Sequence, residues 1–202
     1  MLTMHWSPRS PFVRKVMIVA HELGIADGLT LVRTRAAMAE VNAALSADNP
    51  LNKLPTLVLE DGTAIYDSAV ICDYLDFERR LHPGDHAARI DALRRQALGD
   101  GLLDLLVLWR NERDRPVEKQ SPAHMAAWEA KVDQTLDRLE ADTAKNRDHP
   151  FDIGDIAIGC ALGYADFRFA GIGWRSGRPA LTAWASTFEA RPSALATQAK
   201  DG

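Results

Sequence analysis

The chain has only two cysteines, Cys72 and Cys160, in 202 residues. They lie far apart, each inside an apolar helical pattern, so the reading is two buried free thiols rather than a disulfide framework. Long apolar runs are also missing. None approaches the roughly 20 residues of a membrane span. The start, Met1 to Trp6, has no charged segment followed by a long apolar stretch, so no secretory leader is expected. Charge of one sign is not concentrated anywhere: the net charge is −4 and no basic or acidic block appears. A nucleic-acid surface is therefore not expected. No repeat or low-complexity segment is present. These absences leave a globular chain of one large or two small domains, with a cytoplasmic setting and no membrane or nucleic-acid partner as the expectation.

The rest of the chain is organised around residues 49–75. Asn49-Pro50 marks a loop. Residues 56–59 and 64–66 are short β-prone runs separated by the turn residues Glu60 to Thr63, which reads as a hairpin. Pro55 stands at the mouth of the first run, where a missing N–H is tolerated; trans is the default for its peptide bond. Asp67-Ser68 then precedes apolar residues at helical spacing, with Ser68 expected as the N-cap.

Upstream, residues 2–6 suit a strand. Ser10-Pro11 reads as an N-cap with proline at the first helical position. Phe12, Val13, Val16, Met17, Val19, Ala20 and Leu23 form the apolar face of that helix, with Arg14, Lys15 and Glu22 off it, and Gly24 ends it. Residues 29–34 read as a second strand and 38–45 as a short helix. From residue 88 onward the pattern is helical: 89–113, 122–142, an almost wholly apolar helix within 151–170, and 179–189 stopped by Arg191-Pro192. Asp152 is the expected N-cap of the apolar helix, with Asp155 at N3 and Phe151 and Ile156 as a hydrophobic staple. Asp155 is thus structural. His82 and His86, and Asp100 and Asp104, stand at spacings that suggest metal. Without a third ligand neither pair is read as a site, and the two acids are read as lining a cleft.

Asn49-Pro50, Lys53-Leu54-Pro55, a hairpin, and Asp67-Ser68 opening a helix together resemble the glutathione-binding core of the glutathione S-transferases, whose usual acid before the serine is longer. Ser10-Pro11-Phe12-Val13-Arg14-Lys15 is similar to the first helix of small serine-type bacterial members. The resemblance implies a thioredoxin-like α/β N-terminal domain (1–78), a linker (79–87) and an all-α helical bundle (88–202). It also implies a cis Pro55, glutathione as co-substrate, a small electrophile as second substrate, and a homodimer.

Residue chemistry supports roles under that resemblance. The helix beginning near Ser68 offers N–H groups and a positive dipole end to the γ-glutamyl carboxylate, and the Ser68 hydroxyl adds a donor. Asp67 suits the amine, the Leu54 backbone the cysteinyl unit, and Lys53 the glycyl carboxylate. The first-helix positions that are Cys-x-x-Cys in redox relatives read Ser7-Pro8-Arg9-Ser10, so mixed-disulfide chemistry is excluded there. Ser10 is the candidate catalytic donor to the thiolate, with Ser7 as the second candidate and a purely capping Ser10 as the rival reading. Trp6, Pro8, Phe12 and Asp104 are expected around the second substrate. Conjugation, glutathione-dependent isomerisation or lysis, and a non-enzymatic regulatory role all fit this sequence. An arginine such as Arg9 or Arg110 in the cleft would favour a carboxylate substrate.

Overall fold

The computed structural model describes residues 2–145 and 149–201. Four strands form one mixed sheet in the order β2-β1-β3-β4. β1 (Leu2–Trp6) pairs in parallel with β2 (Leu29–Arg33) and antiparallel with β3 (Thr56–Val58), which pairs antiparallel with β4 (Ala64–Ile65). Met4 on central β1 is fully buried, whereas Leu31 and Val32 on edge strand β2 are exposed. This is the expected thioredoxin-like half, and the chain that follows is helical, as the expected bundle requires.

Helix α1 (Pro11–Glu22) starts at Ser10, whose hydroxyl oxygen accepts the Val13 N–H at 3.3 Å, with Pro11 in the first turn. Gly24 (φ +74°) ends it, donating its N–H to the His21 carbonyl. The sequence places Arg14 and Lys15 off the apolar face, yet both are buried. α1 is covered on more than one side, by α3 (Ser68–Leu75) and by α6 (Ile153–Arg168). Both cations therefore need buried partners. Arg14 pairs with Glu189, and Lys15 with Asp100.

The helix expected over 38–45 is displaced. α2 is Ala43–Asp48, capped by the Asn42 side chain, while Ala37 and Glu40 form an isolated bridge. Met38 and Val41 are strongly exposed, so the apolar spacing there reports no buried face. The N-cap of α3 is Asp67 rather than Ser68. Asp67 is extended and its carboxylate accepts the Ala69 N–H at 2.9 Å, which places Ser68 inside the helix as its first residue.

Residues 76–82 are firmly held. The buried Asp76 carboxylate accepts the N–H groups of Arg80, Leu81 and His82 and a contact from His82 Nδ1 at 2.8 Å. The Leu81 carbonyl in turn accepts the Ile153 N–H. α4 (His86–Arg113), α5 (Pro122–Thr143), α6 and α7 (Pro179–Glu189) form the helical part. α7 ends at Glu189 ahead of Arg191-Pro192, as expected, but it is not the final helix: Pro192 opens a further short one, α8 (Pro192–Ala196), as proline at a first turn can.

α6 is buried along most of its length because α1, α4 and α7 surround it. Its approach to α4 requires Gly99, where a Cβ would lie 2.6 Å from the Ala157 carbonyl carbon and 2.7 Å from the Ile158 nitrogen. The expected capping box at Asp152 and Asp155 is present, each carboxylate accepting the other's backbone N–H.

Candidate glutathione site at the end of the sheet

Strand register brings the sequence motifs together. His5 is opposite Thr56, so Leu54 and Pro55 follow the ladder's end beside the loop that leaves β1. Ile65 is opposite Leu57, so Tyr66, Asp67 and the start of α3 emerge at that same end. Three motifs distant in sequence (Ser7–Ser10, Lys53–Pro55 and Asp67–Ser68) thus share one edge.

Each is locally fastened. The Ser10 N–H donates to the Ser7 carbonyl at 3.2 Å, and the Ser7 hydroxyl oxygen accepts the Arg9 N–H. Ser10 caps α1 with an oxygen lone pair, so its hydroxyl proton is not consumed by capping. Cap and donor are compatible in one residue. The Leu54–Pro55 bond is cis, and so is Tyr66–Asp67. Buried Asn49 donates to the Lys53 carbonyl and to Thr56 Oγ1, and Asn52 (φ +55°) is bonded on both sides to Asn42. These bonds hold Leu54 outside the ladder with Lys53 exposed.

Charge gathers where α1, α3 and α4 meet. Lys15, with no exposed surface, places Nζ 2.7 Å from both Asp100 oxygens. Burial raises the Asp100 carboxyl, with Lys15 pulling it down and Asp67 and Asp104 pushing it up. Burial also raises Asp104, against the pull of Lys53 and with a push from Asp67. Asp104 therefore sits among the charges of the Lys53–Asp67 region. Asp100 is ion-paired, rather than forming one acidic pair with Asp104 along the cleft.

Trp6, Pro8 and Phe12 are half-buried around the first loop. Trp109, further along α4, is buried against Phe169, with ring centroids 4.8 Å apart. Arg168 at the end of α6 and Arg9 on the first loop both approach the Asp201 carboxylate. The sequence brings Arg9 forward but not Arg168 or Asp201, because nothing local links positions so far apart.

His82 is buried on Asp76 and His86 is exposed. Among the described residues, ligand atoms of His149, Asp152 and Asp155 lie within 4.8 Å of one another. The Arg95 guanidinium already bonds to both acids there, with Nη1 3.0 Å from Asp152 and 3.2 Å from Asp155, so a cation is built into the cluster.

A thioredoxin-like sheet, a cis proline beside a serine-headed first helix, and an appended helical bundle define a glutathione-transferase type of protein. Residues 9–77 match the glutathione S-transferase N-terminal domain and residues 122–185 its C-terminal domain. The chain is 30% identical over 194 residues to the uncharacterized GST-like protein YibF of Escherichia coli K12, covering 94% of both. A glutathione transferase family member from Pseudomonas fluorescens Pf-5, solved with bound glutathione, is 41% identical, with a TM-score of 0.95 over all of both chains. A structure of a family member from the same organism, with bound S-(propanoic acid)-glutathione, is 38% identical. Its TM-score is 0.90, over 99% of this chain and 100% of that one. The chain belongs to the glutathione S-transferase family.

Proposed function

We propose that this chain binds glutathione and activates its thiol for attack on a small electrophile. The observation that carries the reading is the shared sheet end, at which the loop leading to Ser10, Leu54-Pro55 and Asp67-Ser68 all leave the strands. The γ-glutamyl carboxylate is held by the Ser68 hydroxyl and the N-terminus of α3, and its amine by the Asp67 oxygen not used in capping. The Leu54 backbone pairs with the cysteinyl unit like an added strand, beside Pro55. Lys53 meets the glycyl carboxylate. Glutathione in one Pseudomonas relative, and a glutathione adduct in the other, support glutathione as the ligand.

Only the thiolate reacts well. The Ser10 hydroxyl donates a hydrogen bond to it, and the N-terminus of α1 adds positive potential. Both favour ionisation at neutral pH without a covalent role for Ser10. Ser7 Oγ also accepts a backbone N–H, from Arg9, and keeps its proton; it is the second candidate because it does not head α1. Trp6, Pro8, Phe12 and Asp104 border the second substrate. The glutathione unit spans residues 1–78, the connection 79–87, whose last two residues already belong to α4, and the helical unit 88–202.

The active form in this reading is a cytoplasmic homodimer. Val70, Tyr74 and Phe77 on and after α3 are exposed, as is Ile90 on α4, while Ile71, Cys72 and Leu75 face inward. Such an apolar surface on both elements suits a subunit contact. No helix among the described residues is long and apolar enough to cross a membrane.

Titration calorimetry with glutathione tests the binding mode. Ser68→Ala weakens binding by about 1.5–3 kcal/mol, the range for a hydrogen bond to a charged group. Unchanged affinity removes Ser68 from the site.

A further inference from the structure

We infer that Arg9 and Arg168 form a carboxylate-binding subsite beside Ser10, occupied in this structure by Asp201, and that the second substrate carries a carboxylate. The inference rests on glutathione occupying the neighbouring site as proposed above.

Two guanidinium groups from different elements, the first loop and the end of α6, converge on one carboxylate. Arg168 Nη2 is 3.1 Å from Asp201 Oδ1, and Arg9 Nε is 3.6 Å from the same oxygen. The tail reaches there by lying on the first loop, with the Lys200 N–H donating to the Pro8 carbonyl at 3.4 Å. Arg9 adjoins Ser10 in the chain, so their Cα atoms are about 3.8 Å apart. The Asp201 carboxylate at Arg9 follows a tail held on Pro8, so the anion lies against the first loop that leads into Ser10.

Arg168 is set in place rather than free on the surface. Its guanidinium lies 3.9 Å over the Phe167 ring, and its carbonyl accepts a bond from Arg113 Nη1 at 2.8 Å. The Nε atoms of Arg168 and Arg110 are buried with no hydrogen-bond partner among the described residues. Buried donors of this kind are uncommon and favour an acceptor that satisfies them. A planar guanidinium fork matches a carboxylate.

Asp201 holds the position only loosely. Its side chain is 66% exposed and that of Arg9 52%, and such pairs contribute little. An incoming carboxylate tethered to glutathione competes at high effective concentration and displaces it.

The test compares three ligands by calorimetry on the full chain: glutathione, S-propylglutathione and S-(2-carboxyethyl)glutathione. The wild type binds the carboxyethyl ligand about five- to tenfold more tightly than the propyl one, as a partly exposed charge-assisted pair implies. Arg168→Gln brings that ratio close to one, and Asp201→Asn enlarges it. Arg9→Gln, at an exposed position, repeats the loss if Arg168→Gln folds poorly. A ratio near one in the wild type overturns the inference, as does a ratio that survives both arginine variants. An equal loss for all three ligands in Arg168→Gln also overturns it, because the arginine would then hold glutathione itself. If none of the three binds the wild type, the glutathione reading has failed first.

Discussion

Removing one member of the Lys15–Asp100 pair should destabilise the protein unequally, depending on which member is removed. Lys15 has no exposed surface, whereas the Asp100 side chain is 23% exposed. Breaking a buried ion pair leaves an uncompensated charge and costs about 3–5 kcal/mol. Asp100→Asn strands the fully enclosed ammonium and belongs in that range. Lys15→Met leaves a carboxylate that water still reaches, so about 2–3 kcal/mol is expected, discounted for solvent screening. Lys15→Met combined with Asp100→Leu removes both charges and should return to within about 1–2 kcal/mol of the wild type. Urea unfolding of the four proteins, read as midpoints at a common slope, gives the comparison. Equal and additive losses would show that the two groups are not coupled, and that α1 and α4 are held together by apolar packing alone.

Glu22 ties α1 to α8. Burial alone would raise its carboxyl, but hydrogen bonds from Arg191 and Ser193 together hold it below the ordinary glutamate value. Its folded pKa is lowered, so its stabilising contribution is present above the unfolded value and is lost as pH falls through the folded one. Glu22→Gln should flatten the acid limb of a stability–pH profile; an unchanged slope between about pH 5 and pH 3, around the ordinary glutamate value, argues against the linkage. Sedimentation at micromolar concentration should find a dimer, and Phe77→Asp should shift it toward monomer. A monomeric wild type removes the subunit contact.

Motifs that act through neighbouring residues were legible in the sequence. The Ser10-Pro11 start of α1 and the Asp152–Asp155 box each concern three or four consecutive backbone groups, and side-chain type decides them. Asp67-Ser68 was legible as a helix start but not in its register, because both residue types cap well and only the extended backbone at Asp67 selects it. The apolar spacing over 38–45 does not mark a buried helix face, because Met38 and Val41 stay largely exposed. Lys15 reads as a surface cation until α4 brings Asp100 to it. The meeting of Arg9, Arg168 and Asp201 depends wholly on how the chain's ends are brought together, and residue spacing carries no trace of it.

The central claim is that Ser10 stabilises the thiolate of bound glutathione by donating the proton that capping leaves free. Ultraviolet titration of thiolate absorbance in the binary complex, wild type against Ser10→Ala, tests it most directly. A hydrogen bond to a charged group is worth about 1.5–3 kcal/mol, so the bound thiol's pKa should rise by about 1–2 units in the variant. Glutathione affinity should stay nearly intact, and stability should fall by about 1 kcal/mol from the lost cap. Superimposable titration curves, with only the stability loss, would contradict the claim and leave Ser10 a helix cap.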